Sequence, residues 1–309
     1  MPEINFRLKP RAPFRLHLTV WALRRRPNNA IDLWDGRFYR RIFSLHGVPV
    51  QISVRQTRPP DKPQLEVTAI SEQRHPFRLK NELTAMLERI LGLQIDLSGF
   101  YEMASDDPKI GALVRRFTGF RPPRFPTVFV ALVNAIACQQ RTVLVGIMLL
   151  NSLARTRNMA FGEGPAAAFA FPAPEDLGRA RPETLGTLGF SRQKATALIR
   201  LGRECAGGAS HFDALAKLDD REAVTRLLEL HGIGRWSAEY TMLRSTCSRL
   251  TTSLDKRTCI ASSTLGRVQP MKERAGCCHV SILTKVCFIS TFSLPSWTHA
   301  ASSRSRPTE

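Results

Sequence analysis

Apolar positions along the chain follow two rhythms that change over near residue 105. In the first part Phe14, Leu16, Leu18 and Val20 alternate with Arg15, His17 and Thr19, the two-residue period of a half-buried strand. Ile52 with Val54, and Leu65 with Val67 and Ala69, predict further strands on either side of the turn-rich stretch RPPDKPQ. Leu79, Leu83, Met86, Leu87, Ile90 and Leu91 then recur at helical spacing, so one amphipathic helix should pack on that sheet.

From Asp107 onward the period is helical almost throughout. Pro108 suits the first turn of a helix carrying Ile110, Leu113, Val114 and Phe117. RPPRFP at 121–126 reads as an extended connector, followed by an unusually apolar helix from Thr127 to about Cys138 and another from Thr142 to Ala154. A Gly, Ala and Pro-rich loop from Gly162 to Pro174 precedes shorter helices near Arg181 to Thr187, Arg192 to Cys205 and Asp220 to Leu230. The pattern predicts an α+β chain: a mixed sheet and helix domain over 1–104, an all-α domain over 105–244, and an irregular tail over 245–309 in which neither period persists.

Composition narrows the partners. The chain has 309 residues, 43% of them hydrophobic, which is enough to bury a real core. Its 45 Lys plus Arg against 26 Asp plus Glu give a formal charge of +19, the usual footprint of a polyanion, most often nucleic acid. Apolar runs such as Val128 to Val133 stop well short of the roughly 18 residues a membrane span needs. The start MPEINFRLKP has no apolar signal core, so the expectation is a cytoplasmic protein with no membrane partner. No repeat with the period of a helical array is present, which removes a solenoid from consideration.

The charge and the cysteines divide unevenly. Residues 1–244 hold 36 basic and 23 acidic residues; the last 65 hold nine basic residues and only Asp255, Glu273 and Glu309 as acids. Five of the seven cysteines (Cys247, Cys259, Cys277, Cys278 and Cys287) fall in that last part, and 21 of its residues are Ser or Thr. Their gaps of 12, 18, 1 and 9 residues match no paired-ligand spacing, so no metal site is expected.

The most specific feature is the stretch LLELHGIGRWSAEY, from Leu227 to Tyr240. Leu227, Leu228 and Leu230 end one helix, Gly232 and Gly234 make a tight turn around Ile233, and Trp236 to Leu243 begins the next helix. Two glycines let the backbone turn sharply and aim amide groups at one point beside a helix N-terminus, an arrangement that grips a phosphate without reading sequence. Arg235 adds charge. The alternative is an ordinary glycine turn between two core helices.

This stretch resembles the helix-hairpin-helix element of base-excision DNA glycosylases, in particular the 3-methyladenine DNA glycosylase II family. FVALVNAIACQQRT (129–142) resembles the helix and turn that enter the DNA minor groove there, and LGFSRQKATAL (188–198) resembles the Gly-x-Ser-x-x-Lys-Ala segment. The resemblance spans about residues 10–244 and implies an N-terminal domain similar to the TATA-binding protein, followed by a helix-hairpin-helix glycosylase domain. It implies base-excision repair by hydrolysis of the N-glycosidic bond of an alkylated purine flipped out of double-stranded DNA, with a monomer as the acting species, association with the nucleoid, water as nucleophile, no cofactor and no metal. By motif position Gly232, Ile233, Gly234, Arg235 and Gln140 would contact DNA, Gln140 by entering the gap left by the flipped base. Trp236 and Tyr240 would line the base pocket one helical turn apart. Core packing for the two aromatics, and an exposed turn for Gln140, are the competing readings.

The pattern then fails. The family places a catalytic aspartate after the hairpin, in a segment like Asp-Val-Phe-Pro-x-Asp-Asp, where a carboxylate stabilises a positively charged sugar. Counting on from Gly232 reaches Asp255 and Lys256 in TTSLDKRT, with neither the Phe-Pro turn nor the Asp pair. Asp255 is the candidate the spacing leaves, although an acid in so polar a stretch is ordinarily only solvated. The break suggests a reading frame lost at Arg244. Taking the last base of each codon with the first two of the next, Ser245 to Thr252 permits Val-Asp-Val-Phe-Pro-Ala-Asp-Asp, and Ile282 to Thr291 in the same frame permits a segment like the family's closing helix. The expectation is a shifted-frame translation over 245–309 and a chain impaired in catalysis; a non-enzymatic DNA-binding remnant that keeps the hairpin grip is the alternative.

Overall fold

A computed structural model describes residues 3–246 except 72–75, 106–107, 157–159, 162–167, 208–211, 213 and 216–217. Asp255 and the expected shifted-frame tail from residue 247 on lie outside the described residues.

The first core is built on an antiparallel sheet of five strands in the order β1-β5-β4-β3-β2. These are β1 (Glu3–Leu8), β2 (Leu33–Trp34), β3 (Tyr39–Leu45), β4 (Val48–Gln56) and β5 (Leu65–Ser71). Alternation puts Val50, Ile52 and Val54 of β4 beside Leu65, Val67 and Ala69 of β5 on one buried face, paired in register as Ile52 with Ala69 and Val54 with Val67. Helix α1 (Leu16–Arg24) and helix α2 (Pro76–Leu91) cover that face with Leu16, Val20 and Leu23, and with Leu79, Leu83, Leu87 and Ile90.

Helix α1 corrects the strand expected from Phe14 to Val20. Its buried positions are Leu16, Thr19, Val20, Ala22 and Leu23, a helical stripe that includes a threonine. A short run in which the two periods overlap satisfies both patterns, and here the helical one wins because the residues beyond Val20 continue it. Strand β3 escaped the pattern for the opposite reason. Arg41 and Ile42 are both buried, so its polar and apolar positions do not alternate cleanly. Arg41 donates to Asp32 at 2.7 Å, and the Tyr39 hydroxyl donates to the same oxygen at 2.8 Å. Burial and then the Asp32 charge hold the Tyr39 phenol well above its ordinary value.

The second core is helical. Helices α3 (Ser98–Ser105) and α4 (Pro108–Arg116) lead to the connector, then to α5 (Val128–Cys138) and α6 (Val143–Arg155). Thr127 and Thr142 cap these two helices, their side chains accepting from Val130 N and Val145 N. Every residue of α5 from Val128 to Ala137 is buried, which explains a sequence apolar at every position but Asn134. The loop expected over 162–174 holds the end of a small hairpin, β6 (Ala160–Phe161) with β7 (Ala168–Phe169). Helices α7 (Pro174–Gly178), α8 (Pro182–Thr187), α9 (Arg192–Ala206), α10 (Asp220–Leu228) and α11 (Arg235–Thr241) complete the bundle, and α11 runs on as a π-helical turn over Met242–Thr246.

Candidate nucleic-acid interface

Two chain reversals meet at one face of the helical core. The first follows α5. Gln139 leaves the helix with φ −54° and ψ 129°, and Gln140 takes φ 51°, a left-handed conformation uncommon for a residue with a side chain. Strain of this kind persists only where neighbours hold the turn. Gln140 is exposed at its tip.

The second reversal is the glycine hairpin between α10 and α11. Gly232 has φ 80°, and a Cβ there would lie 2.8 Å from the Ala197 Cβ of α9, so both conformation and space require glycine. Ile233 is buried between the two glycines and anchors the turn to the core. Gly234 begins α11 with no side-chain cap, leaving the first amides of that helix without intrahelical acceptors. Arg235 is exposed and its Nε donates to Glu239 at 2.9 Å, one helical turn on.

Between the reversals opens a cleft of about 580 Å³ lined by Cys138, Gln140, Arg141, Thr142 and Trp236. Trp236 is 52% exposed and stacks on Tyr240, with ring centroids 5.2 Å apart and planes 15° from parallel. A base inserted between the two rings would need them about 7 Å apart, twice a carbon–carbon contact. The face available for stacking is therefore the outer, cleft-facing side of Trp236, and Tyr240 stands behind it.

Tyr240 is held by groups from both cores. The Arg25 Nη1, just past the end of α1, donates to the Tyr240 hydroxyl at 3.3 Å and to Cys138 Sγ at 3.7 Å, while Nη2 donates to Asn134 Oδ1 at 2.6 Å. Burial works against the charge of Arg25, but Tyr240 and Cys138 outweigh it and keep the guanidinium above its ordinary value. Phe125 packs against Tyr240 with centroids 6.4 Å apart and takes the Arg244 guanidinium at 4.7 Å from its own ring centre. Arg244 is buried, its Nε and Nη2 have no hydrogen-bond partner among the described residues, and burial pulls its pKa below the usual arginine value.

The structure thus brings Gln140 and Trp236 into one cleft, places Gly232, Ile233, Gly234 and Arg235 on the adjoining hairpin, and sets Tyr240 half-buried behind Trp236. Arg25 and Phe125 lie outside every motif singled out in the sequence, and their partners lie far away along the chain. Asn134, Gln139 and Lys194 fall inside the segments 129–142 and 188–198, but the sequence alone gives them no role. Among the described residues, none that lines the cleft is a carboxylate. Among the described residues no group of three or more His, Cys, Asp or Glu side chains could hold a metal ion, and no helix is long and apolar enough to cross a membrane.

The profile of the AlkA N-terminal domain matches residues 5–126. A DNA-3-methyladenine glycosylase of Bacillus subtilis (strain 168) is 28% identical over 247 residues, covering 78% of this chain and 78% of that protein. Over that span the chain is similar to DNA-3-methyladenine glycosylases. DNA-3-methyladenine glycosylase 2 of Escherichia coli (strain K12) is 30% identical over 135 residues, which is 44% of this chain and 47% of that one. Among solved structures, the 3-methyladenine DNA-glycosylase of Archaeoglobus fulgidus superposes with a TM-score of 0.64 at 22% identity, over 78% of this chain and 79% of that one. An 8-oxoguanine glycosylase/lyase of Clostridium acetobutylicum reaches 0.57 at 17% identity, over 78% of each chain. At these identities the structural likeness establishes the fold. Glycosylases named for two different bases share that fold, so on it the choice of base belongs to the site.

Proposed function

We propose that this chain is a DNA-3-methyladenine glycosylase acting in base-excision repair, hydrolysing the N-glycosidic bond of an alkylated purine that has left the duplex stack. The observation that carries the reading is the shared cleft of Gln140 and Trp236 beside the Gly232–Gly234 hairpin. The hairpin amides and the basic surface take the phosphate backbone of double-stranded DNA, Gln140 fills the gap in the stack, and the extruded base lies on the outer face of Trp236. An alkylated purine carries positive charge, which suits an aromatic face and makes the base a ready leaving group. Water adds to the sugar carbon as the base departs with the bonding electron pair, so the step as proposed draws on no cofactor.

That step also needs a carboxylate beside the sugar as its positive charge develops. Asp32, the buried acid of the sheet domain, is engaged by Tyr39 and Arg41, and Glu239 pairs with Arg235. Asp255, outside the described residues, is the candidate the spacing leaves, and without the Asp pair that the resemblance implies the chain works below the rate of an intact glycosylase. The test of the binding half is the affinity for duplex carrying a stable abasic-site analogue against undamaged duplex, across a salt series. A preference of about tenfold or more, falling in absolute affinity as salt rises, is expected; equal affinity for the two duplexes would sink the reading.

A further inference from the structure

The first turn of α9 touches both reversals at once. Lys194 Nζ donates to the carbonyl oxygens of Ala137 at 3.1 Å and Gln139 at 2.8 Å, the last acceptors of α5. A cation at a helix C-terminus satisfies carbonyls that have no intrahelical donor, and here it holds the backbone from which Gln140 turns left-handed. Three residues further along the same helix, Ala197 lies against Gly232 so closely that no Cβ fits between them. Gln139 closes the circuit. Its Nε2 donates to the Gly232 carbonyl at 2.9 Å and to the Ser237 hydroxyl, in the first turn of α11, at 2.8 Å. The Ser237 side chain is buried, so this contact sits inside the junction and not at its rim.

We propose that Lys194 and Gln139 are positioning residues that lock the Gln140 turn to the Gly232–Gly234 hairpin, so that the backbone grip and the insertion into the base stack act in one fixed register. The inference rests on the functional reading above for what the two reversals do, but the lock itself is a property of the chain alone. Burial and the neighbouring Arg141 both pull the Lys194 pKa below the ordinary lysine value. Charge placed there at such a cost is retained where its acceptors are specific. A rigid register matters chemically, because a phosphate grip that can slide relative to Gln140 binds DNA without opening the stack.

Two isosteric variants separate this role from general stability, Lys194→Met and Gln139→Glu, with Lys194→Arg as the conservative rescue. In the first measurement a fluorescent adenine analogue is placed opposite a stable abasic site, and its unstacking reports insertion. Both variants should keep duplex affinity within about threefold, a small fraction of the binding free energy, while the fluorescence increase drops by about fivefold or more, and Lys194→Arg should restore it. An unchanged fluorescence increase, or a loss of signal and affinity in parallel with the thermal midpoint, would overturn the proposal. The second measurement needs no DNA. Amide exchange should accelerate together, by about tenfold, over 139–142 and 232–237 in each variant while α6 keeps its protection. Acceleration in only one of the two segments would also overturn the lock. If the unaltered chain gives no fluorescence response at all, the functional reading fails, and the exchange data still decide the coupling.

Discussion

Trp236 lies flat on Tyr240 across one turn of α11, with 5.2 Å between ring centroids, so the two rings form a single platform with one open face. The inner ring is fixed by Arg25 and Phe125 and the outer ring borders the cleft. Trp236→Ala should therefore weaken binding of an extruded base by about 1–3 kcal/mol, roughly 5- to 150-fold. Because Trp236 is half exposed, the same substitution should change folding stability by no more than about 1 kcal/mol. Titration with abasic and base-bearing bulged duplexes, alongside denaturant unfolding, reads both quantities.

The two hairpin glycines should separate by substitution. Gly232→Ala forces a side chain into φ 80° and against Ala197, and should cost about 1–2 kcal/mol of stability from the left-handed conformation alone. Gly234 has φ −94° and open space where a Cβ would stand. Gly234→Ala should therefore fold within about 0.5 kcal/mol of the parent yet lose DNA affinity, because the new methyl occupies the approach to the helix amides. Loss of stability in Gly234→Ala, or unchanged DNA binding, would contradict this assignment.

Much of the helical core was legible because its determinants are local. Thr127 and Thr142 stand directly before apolar runs and cap them, and Gly232, Ile233 and Gly234 carry their turn chemistry in their own sequence. The left-handed Gln140, the stacked Trp236 with Tyr240 behind it, and the shared cleft follow from where two helices meet, which no single segment encodes. Asn134 reads as a polar flaw in an apolar helix until Arg25, 109 residues away, supplies its partner. Lys194 is the lysine of the Gly-x-Ser-x-x-Lys-Ala segment, but that segment does not say that its amine sits on the end of α5. Long-range pairing of polar side chains leaves no period, and the same is true of Arg41 in β3.

Two buried arginines, one paired with a carboxylate and one with donor atoms unmet among the described residues, should respond in opposite directions. Asp32→Ala leaves Arg41 uncompensated inside the first core and should lower stability by about 3–5 kcal/mol. Arg244→Met removes a buried guanidinium with two donors unmet among the described residues, and should raise stability on the order of 1 kcal/mol. Thermal or denaturant unfolding of the two variants checks the pair; a destabilised Arg244→Met would place an acceptor for its guanidinium in the residues that follow.

The sequence change at Arg244 makes a genetic prediction of its own. The coding DNA read in the alternate frame beyond codon 244 should yield the Phe-Pro turn and Asp pair of the family. Resequencing that stretch settles it, and an alternate frame with no recoverable Asp-Asp segment would remove the shifted-frame explanation.

The measurement that bears most directly on the proposed function is release of free alkylated purine from methylated duplex DNA by the full chain, against an enzyme-free control and the Bacillus subtilis relative. The account predicts release above the control but slower than the relative, suppressed by high salt and by Trp236→Ala. Release no faster than the control would contradict a glycosylase, and release untouched by Trp236→Ala would contradict the site.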